Sequence, residues 1–314
     1  MSAAIPTPAT TSPSAPPGGG VDVVIVSHDT REEALACVAS AHAAGAGRVV
    51  LVDNGSVDGT AAAVRRRWPG VTVRELANVG FARGANAGVR ASRTPVVVVA
   101  NADVRFATDA LRRLGGALHA DPTLGAAGPM VTYPDGSPQA SARRLPDPAT
   151  AVGHALLGRV RPENRFTRHY RALDVDPARP RDVDWLSGCA LAVRRAAFDA
   201  IDGFDPGYFL YVEDVDLGVR LRASGWRLRT VPEARVVHRV GASTRRRRLR
   251  ALVHHARGLD RFAGRHVLRG PWRLLRGPLR LALAGWVAAS VIVEGVERGL
   301  GLGRSTTGER GGPA

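Results

Sequence analysis

Four near-continuous apolar runs near the start of the chain limit its fold more than any other feature. Val21–Ser27 (Val-Asp-Val-Val-Ile-Val-Ser), Arg48–Val52, Val71–Glu75 and Pro95–Ala100 are each of strand length, and each is followed by a segment of helical character. Strands that are apolar on both faces belong in a sheet covered on both faces, which is the usual condition of a parallel sheet. Thr30-Arg31-Glu32-Glu33 has the form of a capping box and predicts a helix to about Ala44. Further helices are expected to about Trp68, through Ala91, and over about Thr108–His119. Four such repeats predict an α/β fold, a doubly wound, Rossmann-like sheet with crossovers of the usual hand.

In sheets of this kind ligands bind beyond the carboxyl ends of the strands. Those ends carry Ser27, His28 and Asp29, then Asp53 and Asn54, then Asn78, then Asn101 and Asp103. Polar residues at one strand end would mean little. At four ends they form a constellation.

Beyond Asp103 the alternation breaks. Gly125–Tyr133 reads as a strand followed by a Pro134-Asp135-Gly136 turn, and Ala140–Arg171 as a long Arg- and Pro-rich loop with a short helix near Ala151–Leu157. Asp184–Arg194 is expected to be one strand with Gly188 at its centre, where a glycine often marks close approach of a ligand or another backbone. Arg195–Ile201 is expected as a short helix, and Arg227–Val231 and Arg235–His238 as two short strands.

Between them lies Gly203–Gly225. It opens on turn chemistry at Asp205-Pro206-Gly207, continues through three aromatics, and places Glu213, Asp214 and Asp216 at the start of a helix that stops at Gly225. Successive helical residues project about 100° apart. Glu213 and Asp214 therefore diverge, Asp216 points nearly opposite to Asp214, and Asp216 can pair with Arg220 four residues on. An acid at a loop–helix junction beside aromatics is a candidate general base. The plain alternative is that the acids complement the helix dipole. Phe209 and Tyr211 are candidate walls of a binding site, with core packing as the alternative for Phe209.

Charge is unevenly placed. Of a formal net charge of +16, the segment from His238 onward supplies most, with sixteen arginines against Asp260, Glu294, Glu297 and Glu309. Such a basic part calls for an anionic partner. Leu281–Val293 is uncharged but only 13 residues long, short of the ~20 needed to span a bilayer. Arg269, Arg273, Arg276 and Arg280 precede it, which suits a helix lying on an anionic membrane surface; packing on the core or on a partner is the alternative. Arg245–Arg248 reads as a solvated face or an aid to binding acidic lipid. The pI of about 11.4 raises nucleic acid as a partner, but no basic and aromatic interleaving supports it, and no nucleic acid is expected. Residues 1–20 have no charged side chain and no signal-peptide pattern, and read as a disordered tail. Two cysteines, Cys37 and Cys189, support neither a disulfide framework nor a zinc knuckle and fit a reducing compartment.

Taken in order, Asp53-Asn54-Gly55-Ser56-Val57-Asp58-Gly59-Thr60, Asn78-Val79-Gly80-Phe81 with Asn86, Asn101-Ala102-Asp103, Gly203-Phe204-Asp205 with Glu213-Asp214-Val215-Asp216 and Arg220, and His238 resemble the motifs of family 2 glycosyltransferases, on the rhamnosyltransferase-like branch. The resemblance covers about residues 21–243. It implies a GT-A fold, a mixed Rossmann-like sheet flanked by helices, divided into a nucleotide-sugar half (about 21–104) and an acceptor half (about 105–243). A basic helical extension (244–300) and a flexible tail (301–314) follow. It also implies an inverting transfer of a sugar from a nucleotide diphosphate to a hydroxyl, with rhamnose from dTDP-rhamnose as the favoured donor.

The resemblance assigns roles residue by residue. Asp214 matches the catalytic base and Glu213 a supporting or acceptor-orienting acid, while Asp216 is left to hold Arg220. Asp53 matches the acid that bonds the nucleotide base. Ser27, Asp29, Asn54, Asn78, Arg83, Asn86 and Asn101 fall on the nucleotide-sugar side. Asp103 and His238 match the ligands of a divalent cation, Mn²⁺ or Mg²⁺; a hard cation wants oxygen ligands, and Mn²⁺ also accepts imidazole. Trp185, Ser187 and Gly188 resemble the strand lining the acceptor side, together with Tyr211. Asn101 stands where the family has its first acid, which leaves fewer anionic ligands, and Ser27-His28-Asp29 stands where the family often has Tyr-Asn. The expected acceptor is a lipid-linked or polysaccharide hydroxyl in cell-envelope synthesis. The expected location is the cytoplasm, peripheral on the inner membrane face. A non-catalytic polysaccharide- or lipid-binding protein on a degenerate GT-A fold is the alternative.

Overall fold

Alternation along the apolar strands sorts their side chains between two cores. The computed structural model describes residues 20–158, 161, 163–239 and 248–299. The expected tails at 1–19 and 301–314, and the 240–247 boundary that carries Gly241, Ser243 and most of the four-arginine run, lie outside them. In β1 (Val21–Ser27), β2 (Val49–Asn54) and β4 (Val96–Asn101), Val23, Ile25, Leu51 and Val98 face one core, and Val24, Val26, Val52 and Val99 face the other. Helices α1 (Arg31–Ala43), α2 (Thr60–Arg67) and α4 (Ala110–Ala120) cover the first face. Helices α3 (Phe81–Ala91), α7 (Arg195–Asp199) and α8 (Glu213–Ala223) cover the second. The charge inside β1 is accounted for locally: Asp22 accepts from the backbone N–H groups of Arg93 and Thr94 and so fixes the turn into β4.

The sheet has eight strands in the order β3-β2-β1-β4-β9-β6-β10-β5. β3 (Thr72–Leu76), β2, β1 and β4 are parallel. β9 (Ala190–Arg194) runs antiparallel to both β4 and β6 (Leu124–Thr132), and β10 (Arg227–His238) runs parallel to β6 with β5 (Val104–Phe106) antiparallel on the edge. This is the mixed sheet flanked by helices that the motifs imply. Register brings the strand ends together: Ser27 lies beside Asp53, and Val26 beside Asn101.

Several local expectations change. Thr30 does not cap α1; its hydroxyl pairs with that of Ser27 at 2.9 Å, so the capping box is not formed. The expected strand at 184–194 is broken at Ser187–Cys189, and its first part, β8 (Trp185–Leu186), pairs with β7 (Ala142–Arg143) in a separate two-stranded sheet. The break frees Gly188 to face α8. The two strands expected at 227–238 are one, with a register shift between Val231 and Arg235. The expected long loop carries β7, α5 (Pro148–Leu157) and α6 (Arg165–Tyr170).

The basic C-terminal part folds as α9 (Arg248–Phe262), a π turn (Ala263–Val267), a 3-10 turn (Gly270–Leu275) and α10 (Arg276–Gly299). The 13 apolar residues are thus only the middle of a longer helix. Gly270–Ile292 is long and apolar enough to cross a membrane by length and composition, with a mean hydropathy of 1.2, and 6% of it is buried. Little of that stretch is buried inside the fold, which leaves it available to a membrane surface or to a partner.

Candidate active site

The loops after β1, β2 and β3 are knitted by the residues singled out there. Asp53 is 4% exposed, and its two carboxylate oxygens accept from the backbone N–H groups of Ser56 at 2.9 Å and Ala61 at 3.1 Å. It shapes the loop into α2, and an ionised carboxylate keeps further lone pairs for a ligand. Asp29, at φ +52°, accepts from Val57 N–H, and its own N–H donates to the Ser56 hydroxyl. Asn54 accepts from Val79 N–H and donates to Asn78, whose amide also reaches the His28 ring at 3.1 Å.

Arg83 and Asn86 lie on α3 and turn toward the Gly203–Pro206 segment. Arg83 donates to the Pro206 carbonyl at 3.0 Å. Asn86 is buried, and its amide exchanges two hydrogen bonds with the Phe204 backbone, at 2.7 and 2.9 Å. Its polar atoms are committed to holding the Gly203–Phe204 segment.

Asp103 and His238 meet at one end of β10. The ring Nε2 stands 3.2 Å from Asp103 Oδ1, and both side chains are about nine-tenths buried. Gln139 fixes the tautomer. Its amide nitrogen donates to the His238 carbonyl, so its oxygen faces Nδ1 at 3.0 Å, and Nδ1 must carry the proton. Nε2 and the carboxylate are then two acceptors face to face unless a proton or a cation stands between them. Burial opposes charge on this ring, but the Cys189 sulfur and the Asp103 carboxylate favour it and push the ring up to about 10. The same arrangement fits a hard cation. Two ligands at about 2.1 Å and at right angles stand about 3 Å apart, and an acceptor such as the Gln139 oxygen on the other ring nitrogen is the usual support for a ligating histidine. Among the described residues no group of three or more His, Cys, Asp or Glu is placed to hold a metal by itself, which suits an ion that takes its remaining ligands from substrate phosphates and water. Nothing in the sequence around Gln139 signalled this role.

Glu213 and Asp214 open α8 behind strained backbone. Tyr211 and Val212, at φ +70° and +69°, are consecutive non-glycine residues in the left-handed region, a conformation that surrounding structure must enforce. Asp214 Oδ2 accepts from Gly188 N–H at 2.9 Å, and Oδ1 from Val215 N–H at 2.8 Å. A Cβ on Gly188 would touch Asp214 at 3.4 Å, so the absence of a side chain there keeps the front of the acid open. Glu213 is buried, and its Oε2 has no hydrogen-bond partner. Burial pushes both carboxyls up. For Glu213 the Asp214 charge adds to it; for Asp214 the Gly188 and Val215 N–H groups and the Arg143 charge work against it. The pair therefore holds one negative charge more readily than two, and Asp214 is the better place for it. Asp216 is fully buried and pairs with Arg220 at 2.6 Å, as the helical spacing predicts.

The C-terminal helices close over this acid helix. Phe209 stacks on His254 with centroids 4.2 Å apart, and Tyr211 lies 5.4 Å from His255, which meets Trp286 of α10 edge-on. Asp205 is gripped by Arg261 and Arg265, and Asp216 by His266 at 2.7 Å. Arg276 and Arg280, two of the arginines that precede the apolar run, both pair with Asp260 and tie α10 to α9. Trp185 is buried, with its ring 5.0 Å from the Arg143 guanidinium and its indole N–H donating to the Arg144 carbonyl. Ser187 donates its backbone N–H to Ser141.

Known proteins resemble this arrangement in sequence and in shape. The family described as Glycosyl transferase family 2 matches residues 22–201. N-acetylglucosaminyl-diphospho-decaprenol L-rhamnosyltransferase of Mycobacterium tuberculosis is 40% identical over 253 residues, covering 76% of this chain and 80% of that protein. Rhamnosyltransferase WbbL of Escherichia coli is 37% identical over 83 residues, 26% of this chain and 31% of its own. The mannosyltransferase PcManGT of Pyrobaculum calidifontis, solved with GDP-Man and Mn²⁺, has a TM-score of 0.54 at 19% identity, covering 94% of this chain and 84% of that one. GalNAc-T7, solved with UDP, GalNAc and Mn²⁺, has a TM-score of 0.54 at 18% identity, covering 85% and 55%. At such identities the structural likeness is one of fold, the GT-A fold.

Proposed function

The chain belongs to glycosyl transferase family 2, and from that membership we propose that it moves a rhamnosyl unit, with inversion, from a nucleotide diphosphate to a hydroxyl of a sugar carried on a polyprenyl diphosphate. The observation that carries the reading is the extent of the 40% identity. It covers 76% of this chain, so the likeness reaches beyond the family match at 22–201.

The chemistry follows from the residues. The acceptor hydroxyl approaches the anomeric carbon from the side opposite the nucleotide. Asp214, charged and steadied by Gly188 N–H, accepts the hydroxyl proton as the new carbon–oxygen bond forms. The bond from the anomeric carbon to the diphosphate breaks, and the diphosphate leaves with the electron pair. Glu213, kept neutral by burial, leaves that base the only full charge of the pair. Asp53 and Asn78 line the nucleotide side, and Asn86 acts through the Phe204 segment that it holds. Asp103 and His238 would hold a divalent cation, which neutralises charge on the leaving diphosphate. The cytoplasmic face of a membrane is the site where such donors and lipid-linked acceptors meet.

The test is transfer itself. With Mn²⁺ or Mg²⁺ and a panel of nucleotide sugars, a polyprenyl-diphospho-N-acetylglucosamine acceptor should gain one deoxyhexose by mass, from dTDP-rhamnose and with inverted anomeric configuration by NMR. Nucleotide binding with no transfer from any donor would sink the reading.

A further inference from the structure

Arg143 is out of step with most of the arginines around it. Arg144 pairs with Asp174, Arg222 with Asp184, Arg227 and Arg229 with Asp182, and Arg220 with Asp216. Arg143 makes no ion pair among the described residues, although it is 9% exposed. Its guanidinium lies 5.5 Å from the Tyr170 ring and 5.0 Å from the Trp185 ring, and its Nε donates to the Ala140 carbonyl at 2.8 Å. Its Nη1 is buried with no partner at all. Arg171 is a second case: its Nε is buried without a partner. A buried, unpaired cation is costly, and a second, partly buried one near it adds to the cost, unless an anion completes the site.

The position of Arg143 says which anion. Its charge is felt at Asp214 on the catalytic helix, at Arg171 and at His255 on α9. His255 in turn touches Tyr211 and Trp286. In the fold Arg143 pairs with Trp185, and Trp185 packs against Gly218 of α8, the helix that opens on Glu213 and Asp214. The nucleotide side, with the Asp103–His238 pair, is built from other strands.

We propose that Arg143, with Arg171 beside it, holds the diphosphate of the lipid-linked acceptor, so that the acceptor sugar spans from this anchor to Asp214 while its lipid runs out beneath α9 and α10. One sugar ring separates the anomeric phosphate from an attackable hydroxyl, and the two ends of that ring are what Arg143 and Asp214 would fix. Trp185 and Tyr170 then serve the acceptor by clamping the guanidinium rather than by touching sugar. A planar fork backed by two rings suits a diphosphate better than a flexible ammonium does. This assignment rests on the acceptor class proposed above.

The experiment compares two acceptors with the full chain in detergent: a short-chain polyprenyl-diphospho-N-acetylglucosamine, and the same sugar and chain joined by a neutral ether oxygen. Arg143→Gln should raise KM for the diphosphate acceptor by about 10- to 100-fold, the worth of one or two charge-assisted hydrogen bonds. It should leave KM for the neutral acceptor and the thermal stabilisation by dTDP-rhamnose with Mn²⁺ unchanged. Equal effects on both acceptors would reduce Arg143 to a structural role, and a loss of donor stabilisation would give the anion to the donor; either overturns the assignment. If Arg143→Gln fails to fold, Arg143→Lys carries the same comparison, with a several-fold rise expected for the diphosphate acceptor alone. No transfer by the wild-type chain to the diphosphate acceptor is a different result: it rejects the acceptor class first, and the anchor with it.

Discussion

At the scale of single residues, the two adjacent acids of α8 do different work because their surroundings differ. Asp214 has two backbone N–H donors and Glu213 Oε2 has none. Asp214→Asn keeps an oxygen for Gly188 but cannot take a proton, so kcat should fall about 10²- to 10⁴-fold with donor binding intact; transfer at the wild-type rate would remove the base assignment. The pH profile follows from the same burial. Both carboxyls are raised, and the base must be ionised, so activity should fall on acidification at a pH above the ordinary carboxylate range. Stability runs the other way. The folded value of Glu213 lies above its unfolded value, so its contribution is fully present at and below the ordinary glutamate range and is lost as pH rises through the raised value. Glu213→Gln removes that loss, and its melting temperature should gain on the wild type as pH is taken from about 5 to about 9. A difference that stays constant over that range would mean that Glu213 is already ionised in the folded protein.

At the scale of elements, periodicity explains what could be read from the sequence and contact distance explains what could not. The apolar runs foretold β1, β2 and β4, and the i, i+4 spacing foretold Asp216–Arg220, because both are local patterns with a fixed period. The links that build the site join residues far apart: Asn86 to Phe204 across 118 positions, Gln139 to His238 across 99, Asp205 to Arg261 across 56. No local pattern marks such pairs, and in the sequence Asn86 looks like a ligand-facing residue and Arg143 like one more loop arginine. The loop 203–212 depends on these remote supports. Gly80, at φ +85°, donates no side chain where the Phe209 carbonyl closes onto α3, and a Cβ there would collide with that backbone. Gly80→Ala should therefore cost about 1–3 kcal/mol of stability and displace the strained Tyr211–Val212 turn. A melting curve and a kcat measurement check it, and an unchanged melting temperature would show that the loop has another resting place.

At the scale of the whole molecule, the C-terminal layer joins α8 to a surface that the described residues leave uncovered. Arg261, Arg265 and His266 bind Asp205 and Asp216, on either side of the two acids, while Trp272 is 64% exposed and Leu274 84%. The same layer that holds the acceptor loop thus presents apolar side chains outward, with Arg273 between them. An anionic bilayer matches both features, since apolar side chains partition into the acyl boundary and arginine is drawn to the headgroups. Trp272→Glu combined with Leu274→Glu should weaken co-flotation with phosphatidylglycerol vesicles by about a hundredfold, the equivalent of about 3 kcal/mol of lost burial. Transfer to a vesicle-embedded acceptor should fall with it, whereas transfer to a short-chain acceptor in detergent should not, because neither residue touches the site. Added salt should weaken only the part of vesicle binding owed to arginine. Unaltered co-flotation of the double variant would move the contact from this 3-10 turn to α10. Equal losses on both acceptors would mean that the layer matters for holding the acceptor loop and not for reaching the membrane.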